Sequence, residues 1–211
     1  MAYSASSCII DRVVRFARHI PNVITVIRIG LVVPIAVTLA RHELTATMLL
    51  FAVAAVSDAA DGFLAKRFGW QSALGGILDP AADKLLLATT LVVLAVLRLV
   101  PLWLMAAAVA RDVVIVLGAI AYRVYVGPVE ARPSGVSKLN TLCQAAYIAS
   151  VIGREQFSIP AAGVIIVALG ALTFVTVMIS GIDYVLRYGR SAWNESRSRR
   201  GIWRAGGSKL T

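Results

Sequence analysis

Residues 57–84 read SDAADGFLAKRFGWQSALGGILDPAADK, a stretch that places four aspartates within 26 residues of an otherwise apolar region. Asp58 and Asp61 are three residues apart, and Asp79 and Asp83 are four apart, so each pair lies on one face of a helix. The connection between the two helices is short, which predicts that they are antiparallel neighbours. Both pairs of carboxylates are therefore expected to lie close together, near one end of the helix pair.

The composition around this stretch is typical of a membrane protein. The chain has 211 residues, of which 59% are hydrophobic and 15% charged, and its mean hydropathy is +0.80. Soluble domains average about 45–50% apolar and about 25% charged residues, so this composition excludes a soluble globular domain and a disordered chain. Six apolar segments follow one another, at about 22–41, 44–66, 74–98, 102–126, 139–157 and 160–187.

These segments predict an all-α integral membrane protein, a six-transmembrane-helix bundle. Before the first segment, apolar residues recur at helical spacing with arginines between them, which predicts an N-terminal interfacial amphipathic helix. We therefore expect three parts: the amphipathic helix at 1–20, a transmembrane domain at 21–188 and a basic cytoplasmic tail at 189–211.

The distribution of positive charge predicts the orientation of the bundle. The net charge is +10, and all but a few lysines and arginines outside the apolar segments fall at one end of the six spans. The opposite end carries only Arg41, Arg98 and Arg154. By the positive-inside rule, both termini are expected in the cytoplasm. In a membrane protein such an excess indicates topology and attraction to anionic membrane lipids, and not a nucleic-acid partner.

The four aspartates need a counter-charge. A charged residue inside a membrane costs at least ~2.5–3.5 kcal/mol, and four converging carboxylates cannot all stay ionised unaided. Divalent cations supply that charge, and oxygen ligands with no Cys or His nearby suit Mg²⁺, Mn²⁺ or Ca²⁺. Two metal ions bridged by aspartates are typical of phosphate chemistry. Gly62, Ala65 and Gly75 on the same faces leave room for a nucleotide or phosphate.

Two other interpretations of the aspartates stay open. They could form structural ion pairs with Arg28, Lys66, Arg67 or Lys84. They could also line the pathway of a cation transporter. A pathway spreads ionisable groups through the depth of the membrane, whereas these cluster near one side, which favours a site.

The pattern from Asp58 to Asp83 resembles the signature of the CDP-alcohol phosphotransferase family, D-x2-D-G-x2-A-R-x8-G-x3-D-x3-D. Seven of its eight fixed residues are present at the same spacing. The departure is Lys66, where the family has Arg. A lysine keeps the positive charge but cannot donate the two parallel hydrogen bonds of a guanidinium. Arg67 follows directly, so either residue could make the family's contact with the nucleotide.

Further segments resemble particular members of that family. Residues 21–28 (PNVITVIR) and 78–84 (LDPAADK) are similar to both cardiolipin synthases and phosphatidylglycerophosphate synthases. Residues 111–115 (RDVVI) and 137–144 (SKLNTLCQ) look more like the cardiolipin synthases. The resemblance implies an enzyme that transfers a phosphatidyl group from CDP-diacylglycerol to phosphatidylglycerol, giving cardiolipin and CMP. The alternative within the family uses glycerol 3-phosphate as the acceptor.

The resemblance also implies roles for single residues. Asp58, Asp61 and Asp79 would ligate one divalent cation, Mg²⁺ or Mn²⁺, and Asp58, Asp79 and Asp83 a second. Asp83 would also be the general base for the acceptor hydroxyl. The nucleotide contacts of the family fall on Asp61, Gly62, Ala65, Lys66 and Gly75.

Three cations outside the signature are candidates to hold the acceptor's phosphate, namely Arg28, Arg111 and Lys138. Each also has a simpler interpretation: Arg28 and Arg111 as ion-pair partners, and Lys138 as a marker of the cytoplasmic boundary. The resemblance further implies a homodimer among membrane lipids. We expect it in the bacterial inner membrane, with the active site on the cytoplasmic side.

Overall fold

The computed structural model describes residues 20–68, 75–125, 135–159 and 162–206, and every regular element in that part of the chain is an α-helix. Residues 1–19, where the amphipathic helix is expected, lie outside the described part. The six helices are α1 (Ile20–Ala40), α2 (Leu44–Phe68), α3 (Gly75–Val96), α4 (Leu102–Tyr125), α5 (Gly135–Phe157) and α6 (Ala162–Gly206).

Three of the described helices are long and apolar enough to cross a membrane, through Val23–Ala40, Leu102–Ala121 and Ala162–Leu186. Many large apolar side chains on these helices are exposed; Val164, for example, is 79% exposed. Exposed apolar surface of this extent suits contact with lipid. In α2 the apolar stretch Leu44–Asp58 is shorter, because the ionisable residues of the signature follow it.

The described residues fall into two compact units. The first contains α1, α2 and α3 together with Tyr147–Ile166, and the second contains Trp103–Ala146 together with α6 from Val167 onward. In the first unit, α1 packs against both α2 and α3.

One face of α1 is buried along its length. Residues at intervals of three and four positions form it, and each is less than a tenth exposed: Thr25, Arg28, Val32, Ile35 and Leu39. Its apolar part joins a core in which Val32 and Ile35 pack with Ala54 of α2 and Leu86 of α3. Because α1 and α2 are antiparallel, the polar part of this face, at Thr25 and Arg28, lies beside the second half of α2.

A hydrogen bond at the other end of the pair supports this register. Thr47 Oγ1, near the start of α2, donates to Thr38 Oγ1, near the end of α1, over 3.0 Å. Helix α1 ends in a Schellman-type turn in which the Glu43 amide donates to the Thr38 carbonyl. His42 adopts the left-handed conformation that this turn requires, with φ of 58°.

Side chains from α4, α5 and α6 meet in the second unit. Thr176 donates a 3.1 Å hydrogen bond to the buried Asn140. The rings of Trp103 and Phe174 pack edge to face with centroids 5.2 Å apart. At Gly118 a Cβ would come within 2.9 Å of the Tyr184 ring, so α4 and α6 approach closely there.

Two helix boundaries differ from the sequence-based expectation. Helix α6 continues to Gly206, through most of the expected tail at 189–211, because the arginines that end the apolar segment do not break a helix and no proline follows Pro160. Helix α5 begins at Gly135, before the expected apolar segment at 139. In both cases hydropathy indicates the apolar stretch, and the helix is longer than that stretch.

Candidate active site

Two signature aspartates share one buried arginine in the first unit. Arg28 Nη1 donates to Asp83 Oδ1 at 2.7 Å and also contacts Asp58 Oδ1 at 3.0 Å. Thus α1 supplies the cation, while α2 and α3 each supply a carboxylate. The short 41–43 connection and the buried face of α1 bring these distant residues together.

A third signature aspartate is held by the preceding turn of α1. Thr25 Oγ1 donates a hydrogen bond to Asp79 Oδ1, and Thr25 is fully buried. Thr25 and Arg28 are three residues apart and so project from the same face of the helix. The described carboxylates of the signature therefore all bond to one polar patch on α1.

The exposure of these groups defines an open side and a closed side. Arg28 is fully buried, whereas the Asp58 side chain is 49% exposed and that of Asp83 is 26% exposed. Asp79 is partly buried. The arginine thus forms the buried floor of the candidate site, and solvent can reach the carboxylates.

The donor chemistry fits a divalent cation. Two carboxylate oxygens from different helices already converge on one positively charged nitrogen, and oxygen is the ligand that Mg²⁺ and Mn²⁺ prefer. Among the described side chains, no group of three carboxylates, imidazoles or thiolates is close enough to form a complete metal site. The side chain of Asp61, which the sequence analysis adds to this group, lies outside that part.

The other nucleotide-site candidates are placed by the backbone alone. Asp61, Gly62, Ala65 and Lys66 lie on the last turns of α2, and Gly75 is the first residue of α3. Their side chains lie outside the described part, so their contacts stay predictions.

Arg111 is the centre of a polar cluster in the second unit. Its Nη1 donates to Asp112 Oδ1 at 2.6 Å, and its Nη2 donates to Ser137 at 2.9 Å and to Ser180. Arg111 is 6% exposed, and its Nε has no hydrogen-bond partner among the described atoms. Three helices therefore fix the guanidinium, whose Nε–H is buried.

Lys138, the third acceptor candidate, is exposed on α5 beside Ser137. Sequence reasoning singled out Arg28 and Arg111 but missed the hydroxyls that accompany the site residues, Thr25, Ser137 and Ser180. A signal was present for Thr25, because its spacing of three residues from Arg28 puts both on one helix face, and for Ser137, which begins the segment 137–144 that resembles cardiolipin synthases. Ser180 comes from α6, and no spacing in the sequence indicates its contact with Arg111.

The chain belongs to the CDP-alcohol phosphatidyltransferase family, whose model matches residues 18–180. That span contains the whole aspartate signature, the Arg28 contacts and the Arg111 cluster. The family generally depends on divalent cations.

Among curated relatives, the chain is 30% identical to a human cardiolipin synthase (CMP-forming) over 187 residues, which cover 81% of this chain and 62% of the relative. It is also 30% identical to a probable phosphatidylglycerophosphate synthase of Mycobacterium tuberculosis over 178 residues, which cover 80% of this chain and 81% of the relative. A cardiolipin synthase of Streptomyces coelicolor is 43% identical over 70 residues, a third of each chain. The chain thus spans less than two thirds of the length of the human relative.

Proposed function

We propose that this protein is a membrane enzyme that transfers the phosphatidyl group of CDP-diacylglycerol to phosphatidylglycerol, giving cardiolipin and CMP. The observation that carries the proposal is the convergence of Asp58 and Asp83 on Arg28 Nη1 within the family's aspartate signature. Family membership supports a transferase over the cation-transporter interpretation. The similarity to the human cardiolipin synthase supports this product.

In this proposal the four signature aspartates hold two divalent cations, Mg²⁺ or Mn²⁺. Asp58, Asp61 and Asp79 would ligate one ion, and Asp58, Asp79 and Asp83 would ligate the other. When bound, the ions neutralise charge on the pyrophosphate of CDP-diacylglycerol and on the leaving group. Thr25 orients Asp79 through its hydrogen bond, and Arg28 pairs with Asp58 and Asp83.

The chemical step is a single displacement at phosphorus. The acceptor hydroxyl oxygen forms a bond to the phosphatidyl phosphorus, and the bond from that phosphorus to the CMP oxygen breaks, so CMP leaves with the electron pair. Asp83 accepts the hydroxyl proton. Its 26% exposure leaves a path for the acceptor to reach it.

The nucleotide is proposed to lie against the end of α2 and the start of α3. Asp61, Gly62, Ala65 and Gly75 would contact it, the small residues permitting close approach to the backbone. Lys66, which stands at the position of the family's Arg, would supply the positive charge beside the nucleotide. Arg67 is the alternative residue for this contact.

The surroundings of Arg111 favour a lipid acceptor over glycerol 3-phosphate. Asp112 lies 2.6 Å from the guanidinium and offsets part of its charge. A phosphomonoester dianion calls for several cations around one phosphate, whereas a phosphodiester carries one charge and needs fewer. We assign Arg111 and Lys138 to the acceptor side, whereas Arg28, which pairs with Asp58 and Asp83, is assigned to the aspartates. The M. tuberculosis relative, matched over 81% of its length, keeps phosphatidylglycerophosphate synthesis as the second candidate.

A product analysis distinguishes the two candidates. The purified chain is supplied with CDP-diacylglycerol and Mn²⁺, with phosphatidylglycerol in one arm and glycerol 3-phosphate in the other, and the lipids are identified by mass spectrometry. We expect cardiolipin with equimolar CMP in the first arm and little product in the second. Phosphatidylglycerophosphate without cardiolipin would contradict the acceptor assignment and leave the transferase class standing. No CMP release in either arm would contradict the class.

Removing the Arg111 guanidinium should weaken acceptor binding selectively. We expect Arg111→Gln to raise the apparent KM for the acceptor about tenfold, since a hydrogen bond to a charged group contributes about 1.5–3 kcal/mol. The KM for CDP-diacylglycerol should change much less. The acceptor KM of Arg111→Lys should lie between those of wild type and Arg111→Gln. Initial rates with each substrate varied in turn measure this.

The control for Arg111 is Arg98→Gln, which removes an exposed arginine from the α3–α4 connection. It should leave both KM values unchanged. Equal increases in the two KM values for Arg111→Gln would contradict the acceptor role and indicate a general disturbance of the second unit.

The membrane arrangement completes the proposal. We propose that all six helices span the bilayer, with α2, α3 and α5 failing simple hydropathy criteria because they carry ionisable site residues. The charge distribution supports cytoplasmic termini, a cytoplasmic active site and an interfacial helix at 1–20. We further propose a transmembrane domain at 21–188 and a basic tail at 189–211. The protein would form a homodimer in the bacterial inner membrane.

A further inference from the structure

We propose that Arg28 competes with the divalent cation for Asp58 and Asp83, acting as an internal counter-charge when no metal ion is bound and thereby setting the metal affinity of the site. This inference rests on the proposed function, because it takes the signature aspartates to be metal ligands. It concerns a positioning residue, since Arg28 would act through the carboxylates.

The geometry points to competition because the same oxygens would serve both partners. Arg28 Nη1 lies 3.0 Å from Asp58 Oδ1 and 2.7 Å from Asp83 Oδ1, on two different helices. An ion that bridges these carboxylates needs oxygens that are directed toward a common point. A guanidinium nitrogen already occupies such a point, and its positive charge would repel an entering cation.

Because Arg28 is buried, its pairing with the carboxylates affects folding as well as metal binding. Arg28 is fully buried, and a buried arginine requires ionic partners within the protein. Asp58 and Asp83 in turn are stabilised by a positive charge, because two carboxylates that converge on one nitrogen repel each other. Arg28 therefore stabilises the metal-free first unit, at the cost of weaker metal binding.

The exposure of the carboxylates provides a route for the exchange. Asp58 is 49% and Asp83 26% exposed, so an ion can approach from the open side while Arg28 stays in the floor. Binding of the ion would then weaken the contacts of Asp58 and Asp83 with Arg28. Such competition keeps the enzyme folded at low metal concentration and lets the metal ion bind as its concentration rises.

The test measures Mn²⁺ binding to the purified full chain in detergent, by calorimetry and by the spin-resonance signal of free Mn²⁺. Wild type is compared with Arg28→Gln, which removes the charge, and Arg28→Lys, which keeps it. We expect Arg28→Gln to bind Mn²⁺ about tenfold more tightly than wild type, because the competing positive charge is gone. Arg28→Lys should stay near the wild-type affinity. Arg98→Gln, an equal charge change at an exposed site, is the matched control and should also match wild type.

Thermal unfolding gives a second readout that separates competition from a purely structural role. In EDTA, Arg28→Gln should melt below wild type, because Asp58 and Asp83 lose their counter-charge. Saturating Mn²⁺ should raise the melting temperature of Arg28→Gln by more than it raises that of wild type, because a ligand stabilises in proportion to the logarithm of its concentration over Kd. A deficit that persists equally at all Mn²⁺ concentrations would overturn the inference.

The outcomes separate this inference from the proposed function. If wild type binds Mn²⁺ and Arg28→Gln binds it equally or more weakly, competition is wrong and the metal site stands. If Arg28→Lys binds as tightly as Arg28→Gln, charge is not the competing feature, and the inference is also wrong. If wild type binds no Mn²⁺ at all, the metal site of the proposed function is wrong and the inference fails with it.

Discussion

Asp58→Asn is expected to lower phosphatidyl transfer by about a hundredfold or more, because the proposal makes Asp58 a ligand of both cations. The substitution keeps the size and shape of the side chain and removes only its charge. Arg28 keeps Asp83 as a partner at 2.7 Å, and the Asp58 side chain is 49% exposed, so the first unit should stay folded. The rate of CMP release from CDP-diacylglycerol with phosphatidylglycerol is the measurement.

The matched control for Asp58 is Glu43→Gln, which neutralises an exposed carboxylate just before α2. It should leave the rate near that of wild type. Thermal unfolding of both variants should show that each is folded. A folded Asp58→Asn enzyme that keeps more than a small fraction of the wild-type rate would contradict the assignment of Asp58 as a shared ligand.

Removing divalent cations with EDTA is expected to stop the reaction almost completely. Without the ions, only the positive charge of Lys66 or Arg67 is left in the proposed site to offset the charge on the pyrophosphate and the departing CMP. Adding Mg²⁺ or Mn²⁺ should restore the rate, whereas Zn²⁺ should restore it poorly, because the site offers oxygen ligands and no thiolate or imidazole among the predicted ligands. The assay is CMP release before chelation, after it and after each addition.

The control for chelation is the stability of the protein itself. Because Arg28 pairs with Asp58 and Asp83, the wild-type chain should remain folded in EDTA, so the loss of activity will not come from unfolding. A transferase rate unaffected by exhaustive chelation would contradict the metal-dependent mechanism. Loss of both activity and fold, irreversible on adding Mn²⁺, would contradict the role of Arg28 in the metal-free state.

The positions of the helices were largely predictable. The predicted apolar segments for α1 to α4 end within two residues of the observed helices, since the connections that follow these helices begin where the apolar stretch ends. The prediction was less accurate for α5 and α6. There the helix is longer than the apolar stretch, at its start in α5 and at its end in the 45-residue α6, since charged residues end an apolar stretch without ending a helix.

For the candidate site, the sequence predicted which residues share a face of the same helix. The spacing of Asp58, Asp61, Asp79 and Asp83 placed each pair on one face, and the pattern also indicated the family that the comparison shows. Periodicity is a property of one helix, so it carries this information without tertiary contacts.

Sequence alone left the partner of each buried cation undetermined. Arg28 had two interpretations, as an acceptor ligand or as an ion-pair partner, and only the packing of α1 against α2 and α3 shows that it contacts Asp58 and Asp83. In the same way, the cluster of Arg111 with Ser137 and Ser180 joins residues from three helices. These contacts depend on the relative rotation and register of helices far apart in the chain, which many side chains set together and which no local spacing encodes.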